Sequence, residues 1–242
     1  MPLGRNVPQP LARHCWAQTL ALGLATMKRL LVTLLFCTSA HGLMAHPHVF
    51  VDTGLAFHFD PDGRLTKVEV TWAYDEFYSL LVTEDMELDA DFDGKLTEAE
   101  QAALTGFDMQ WIEGFNGDLE ITQGAAPLRL SGPENYTATL KEGRVITTHF
   151  RSIEGASAAG PAFEVKPYDR TYYTAYDVTL PVTIEGTENC RSRVRMPDLN
   201  KGLMAVREEL AALDADSDPD DAGLPNIGAD LASTVIVTCG AS

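Results

Sequence analysis

The sequence predicts an α+β fold: a β-rich body carrying a helix-loop-helix, EF-hand-like insertion at 75–115, directly after the first β-hairpin. Three observations carry this expectation. Strand-like runs flank the turn Asp60-Pro61-Asp62-Gly63, helical periodicity stands on both sides of one acidic loop, and short β-like runs fill most of the chain beyond residue 117.

The hairpin comes first, from 46–59 and 65–72. Pairing with residue numbers summing to about 123 sets Val51 opposite Trp72, Thr53 opposite Val70 and Leu55 opposite Val68. Apolar side chains then share one face, and His48, Asp52, Lys67 and Glu69 share the other. The same register brings His48 opposite Asp75. Over 75–87 the pattern turns helical, with Phe77, Leu80, Leu81 and Met86 as its apolar stripe, and a second helix is expected over 97–115. Later strands are expected over 119–123, 136–140, 145–150, 162–165, 172–184, 190–195 and 234–239, with a hairpin turn at Lys141-Glu142-Gly143-Arg144. A helix over 201–213 and a short one over 227–232 complete the reading, and there is no internal repeat.

Of the 242 residues 45% are hydrophobic, which supports a sizeable core and excludes a disordered chain. Lys plus Arg number 18 against 35 Asp plus Glu, a net charge of −17, so no nucleic-acid partner is expected and cations are the natural ligands. Residues 1–45 contain no acid and four bases, which leaves 14 − 35 = −21 on the rest. Met27-Lys28-Arg29, the apolar run 30–36 and the small and polar residues up to Ala45 have the layout of a secretory signal peptide. Residues 1–45 are therefore read as the signal, with Met27 an alternative start, and 46–242 as a single mature periplasmic domain. No stretch reaches the roughly 20 apolar residues of a membrane helix. Export to an oxidising compartment leaves Cys190 and Cys239 as an even pair, predicted to form a disulfide that constrains the unfolded chain by about 4 kcal/mol.

The acidic loop is Asp89-Ala90-Asp91-Phe92-Asp93-Gly94-Lys95-Leu96-Thr97-Glu98-Ala99-Glu100, which fits the calcium pattern D-x-[DN]-x-[DN]-G-x5-E at every specified place. Ca2+ takes six to eight oxygens; the pattern supplies carboxylates from Asp89, Asp91 and Asp93, the Lys95 carbonyl, Thr97 directly or through water, and a bidentate Glu100. Gly94 permits the sharp turn and Leu96 anchors the loop. An unpaired loop of this kind outside the cytosol binds at about 10⁻⁴ to 10⁻³ M, so its ion is expected to be structural. A second acidic run, 214–220, has Pro219 where the turn Gly belongs and no closing Glu, and reads as a solvated linker.

Signal cleavage after Ala45 would expose His46 as the first residue, its amine beside the imidazoles of His46 and His48. Such a cluster suits Zn2+, Cu or Ni, although Pro47 lacks the amide N–H that a square-planar N-terminal copper site uses. Zinc needs three or four ligands. Asp75 is the candidate the hairpin register brings near, and His149 and Asp169 are candidates from later strands. His58, about 33 Å along the same strand, is too far.

Several segments together resemble the DUF1007 family, described as periplasmic components of ABC-type transport systems. They are 45–52, 71–79, the loop 89–100, Val165-Lys166-Pro167-Tyr168-Asp169-Arg170-Thr171-Tyr172-Tyr173 and 235–239, with Arg170 standing where that family typically has Pro. The resemblance spans most of 46–242 and implies association with divalent transition-metal transport, for zinc or for nickel and cobalt. The leading expectation is thus a non-enzymatic accessory protein that captures such an ion or hands it to a membrane transporter of ABC or nickel/cobalt type, with Ca2+ bracing the fold. The alternatives are a calcium-stabilised protein-interaction module and a copper enzyme using the terminal His46. A hinged solute receptor is excluded, because the chain lacks two lobes of alternating strand and helix.

Overall fold

A computed structural model of the chain describes residues 48–157, 160–212 and 226–240. The expected signal segment, His46 and the second acidic run lie outside the described residues. Strands β1 (Val49–Phe59) and β2 (Leu65–Tyr74) form the antiparallel hairpin. Alternation along β1 buries Val51, Thr53, Leu55, Phe57 and Phe59 and turns Phe50 outward, as the period of two requires. The pairing is displaced from the expected one, with Val51 opposite Tyr74, Thr53 opposite Trp72 and Leu55 opposite Val70. A shift of two residues keeps every side chain on its face. It does separate His48 from Asp75, because Asp75 grips Phe50 instead: the Asp75 N–H donates to the Phe50 carbonyl and the Phe50 N–H donates to Asp75 Oδ2, both at 2.8 Å.

Two short helices flank the acidic loop, α1 (Glu76–Asp85) and α2 (Glu98–Leu104). Asp75 caps α1 by accepting the Tyr78 N–H at 2.8 Å. Of the expected apolar stripe of α1 and its end, Met86 packs against the core, but Phe77 is 67% exposed and Leu80 and Leu81 are also outward, while Ser79, Val82 and Thr83 are buried. A hydrogen bond marks the packed face: Ser79 Oγ accepts the Val145 N–H at 2.9 Å on the side that the helix lays against the sheet. The second helix is also shorter than expected. It stops at Leu104, since Gly106 follows in the left-handed region (φ 86) and turns carry the chain through Phe107, Met109 and Trp111.

The remaining strands are β3 (Leu119–Gln123), β4 (Ala126–Pro127), β5 (Glu134–Lys141), β6 (Arg144–Ser157), β7 (Phe163–Pro167), β8 (Thr174–Asp177), β9 (Val182–Glu185), β10 (Cys190–Arg195) and β11 (Thr234–Cys239). They make two sheets, β5-β6-β2-β1-β8 with β9 also on β1, and β10-β11-β7-β3-β4. The single strand expected over 172–184 is two pieces, both parallel to β1 and separated around Pro181, which has no N–H to donate to a ladder. Leu55, Val68, Val70 and Trp72 of the first sheet share one apolar core with Ile121, Val165, Val235 and Val237 of the second. Phe59 and Phe163 meet at 6.2 Å across it. Helices α3 (Leu199–Ala212) and α4 (Ile227–Leu231) precede β11, and Cys190 and Cys239, opposite one another on β10 and β11, form the expected disulfide. The fold is α+β and β-rich, and no helix among the described residues is long and apolar enough to cross a membrane.

Candidate metal centre

Loop 89–100 is built by its own polar side chains. Asp89 lies in the left-handed region (φ 51) and its carboxylate accepts the Gly94 N–H at 3.1 Å, while Asp93 accepts the Lys95 N–H at 2.8 Å. Thr97 caps α2 in a reciprocal box with Glu100: Thr97 Oγ1 accepts the Glu100 N–H, and Glu100 Oε2 accepts the Thr97 N–H at 2.8 Å. Glu100 Oε1 also accepts the Asp89 N–H at 3.0 Å, which closes the loop end to end. The Thr97 hydroxyl and N–H hold the Glu100 carboxyl below its ordinary pKa.

One oxygen from each of Asp89, Asp91 and Asp93 falls within a 4.8 Å span. Two oxygens bound to one calcium at 2.4 Å stand at most about 4.8 Å apart, so this spacing fits a single ion. The donor chemistry fits as well, being hard carboxylate oxygen throughout, and Leu96 packs against the core as the loop's apolar anchor. Among the described residues this is the one group of three or more His, Cys, Asp or Glu side chains arranged to hold a metal.

The other candidate ligands are dispersed. His48 is exposed, its ring 4.9 Å from that of Tyr173. Both Asp75 oxygens accept backbone N–H groups, as described above. Asp169 orders the turn around Arg170, accepting the Thr171 N–H at 2.9 Å and the Thr174 N–H at 3.0 Å. His149 on β6 is fully buried between Trp72 (4.8 Å between rings) and Trp111 (5.5 Å). Burial, and then the charge of Arg151, push its pKa down to about 3. Neither ring nitrogen has a hydrogen-bond partner.

The model of a protein family of unknown function, DUF1007, matches residues 31–239. The chain belongs to the DUF1007 family. No curated protein and no solved structure matches it. Within this DUF1007 chain the fold also assembles two polar groups that no sequence motif marks. Arg144 joins Asp52 at 2.7 Å and donates to the Tyr74 and Ala73 carbonyls, which pins the start of β6 to the hairpin. Asp108, after α2, accepts the hydroxyls of Tyr74 and Thr147 at 2.8 Å each. Burial pushes the Asp108 carboxyl up, against the lowering effect of those two hydroxyls. Each group draws on segments far apart in the chain, so local spacing carries no signal of either.

Proposed function

We propose that the chain is an exported, non-enzymatic binding module of the periplasm whose loop 89–100 holds one Ca2+ as a structural ion. The observation that carries the reading is the 4.8 Å span of the Asp89, Asp91 and Asp93 oxygens beside Glu100. Three carboxylates at that spacing, with Asp91 and Asp93 exposed and Asp89 partly buried, repel one another, and a bound divalent cation relieves the repulsion. Glu100 bridges the loop's two ends through Asp89 and Thr97, so it is the residue through which ion binding is transmitted to α2. Gln101 at the next position donates its side-chain amide to the Ala138 carbonyl, tying α2 to β5. Calcium on this reading fixes one end of the first sheet. Periplasmic location is supported by the signal-like layout of 1–45 and by the disulfide.

A second reading, delivery of Zn2+ or of nickel or cobalt ions to a membrane transporter, keeps the exposed His48 at the entrance of β1 as its support. It requires His46 and further ligands from outside the described residues or from the transporter. The test compares thermal melting of wild type and Glu100→Gln in calcium and in chelator. A loss larger in calcium than in chelator is expected, because Gln also gives up one of the two oxygens that accept the Asp89 and Thr97 N–H groups, whereas an equal loss in both conditions contradicts the structural ion. Zinc content that falls on His46→Ala and His48→Ala, with calcium retained, would favour the second reading.

A further inference from the structure

Trp72, Tyr74, Tyr78, Trp111 and Tyr176 wall a cavity of about 180 Å³ between β2, α1, β8 and the turn after α2. Phe115 and the half-exposed Tyr173 also line it, and both are exposed. Asp108 is the one charged residue among those lining it. Its Oδ2 accepts the two hydroxyls, but its buried Oδ1 has no partner, and neither has the buried indole N–H of Trp72. A buried carboxylate oxygen without a hydrogen-bond partner is costly, and a cation held close to the carboxylate offsets that cost.

We propose that this cavity binds an alkylated ammonium ion, a monocation the size of choline, with the rings around its methyl groups and Asp108 balancing its charge. Aromatic faces attract cations within about 6 Å, and most strongly where water is excluded. A metal ion is the poorer occupant, because one carboxylate is far from the six to eight oxygens calcium takes. A neutral aromatic ligand would fill the space but leave Asp108 unpaired. Two phenols are made more electron-rich by donating to carboxylates, Tyr74 to Asp108 at 2.8 Å and Tyr176 to Asp118 at 2.9 Å. The volume is close to that of an engineered cavity of about 150 Å³ that admits benzene, which sets the ligand at a few heavy atoms. No Lys or Arg lines the space to receive a carboxylate, so a zwitterion is disfavoured relative to a simple cation. The proposal is independent of the calcium reading, since no residue of 89–100 lines the cavity.

The chain has three Trp, and two of them, Trp72 and Trp111, line the cavity, so intrinsic fluorescence reports on it directly. Titrations of the full chain with choline and tetramethylammonium are compared with 3,3-dimethylbutan-1-ol, the neutral isostere of choline, and with glycine betaine. Saturable binding of the two cations is expected, with the isostere and betaine weaker by about tenfold or more. Asp108→Asn, which keeps an acceptor for Tyr74 and Thr147, weakens choline by about tenfold and leaves the isostere unchanged. Tyr173→Ala, at an exposed position on the lining, weakens choline by roughly threefold at unchanged melting temperature, which decides the matter even if Asp108→Asn folds poorly. Absence of saturation by about 10 mM choline, equal affinity for the isostere, or undiminished choline affinity in Tyr173→Ala overturns the proposal.

Discussion

Replacing Asp75 by Ala removes two acceptors at once. Its Oδ1 takes the Tyr78 N–H at the start of α1 and its Oδ2 takes the Phe50 N–H on β1, each at 2.8 Å. Loss of an aspartate cap costs about 0.5–2 kcal/mol, and a second charge-assisted bond at an exposed site adds about 1 kcal/mol, so about 1.5–3 kcal/mol is expected. For a domain of this size that lowers the melting temperature by roughly 5–10 °C. Asp75→Asn retains one oxygen acceptor and loses about half as much. The melts are run by circular dichroism in chelator and again with added zinc. A structural Asp75 gives the same deficit in both. A change under 1 °C on Asp75→Ala refutes the reasoning, and a deficit that appears only with zinc makes Asp75 a metal ligand instead, as the sequence pattern alone suggests.

Further outcomes follow from the same contacts. The folded His149 titrates near pH 3 while the unfolded residue titrates near 6.5, so its contribution is present above 6.5 and lost as pH falls below that value. His149→Phe, which fills the same slot between Trp72 and Trp111, should therefore flatten the loss of stability between about pH 6.5 and 4 in denaturant titrations, and an unchanged slope contradicts this. Ser79→Ala strands the Val145 N–H and should cost about 1–3 kcal/mol, whereas Leu80→Ser on the outward face should stay within about 0.5 kcal/mol. The reverse order in urea unfolding would mean that α1 packs on its apolar stripe. Breaking the Cys190–Cys239 bond should lower stability by about 4 kcal/mol, seen as a shifted denaturant midpoint of Cys190→Ala/Cys239→Ala against the oxidised wild type.

Features encoded over a few consecutive residues were legible in the sequence. Loop 89–100 is a contiguous pattern, and the Thr97–Glu100 box and the turn at Gly94 follow from it. Strands 119–123, 190–195 and 234–239 begin and end where composition places them, and the two cysteines beyond residue 45 form the expected pair. Hydrophobicity misled at α1, where Ser79, Val82 and Thr83 rather than Phe77, Leu80 and Leu81 meet the sheet, with the Ser79 hydroxyl satisfying the Val145 N–H. The hairpin register escaped by two residues because the Asp75 grip on Phe50 is a side-chain contact and leaves the facial pattern unchanged. Asp108 and its aromatic neighbours were invisible for a different reason. Trp72, Tyr78, Trp111 and Tyr176 come from four separate segments, and only the completed sheet with its flanking turns brings them to one cavity.

Calcium in loop 89–100 is the central claim, and isothermal titration of calcium into chelator-stripped protein tests it most directly. One site per chain is expected, with a dissociation constant of about 10⁻⁴ to 10⁻³ M, abolished by Asp91→Asn together with Glu100→Gln. At tenfold excess over that constant the ion adds about 1.4 kcal/mol of stability. No heat of binding above the buffer blank up to about 10 mM calcium, or a site that survives both substitutions, would contradict the account.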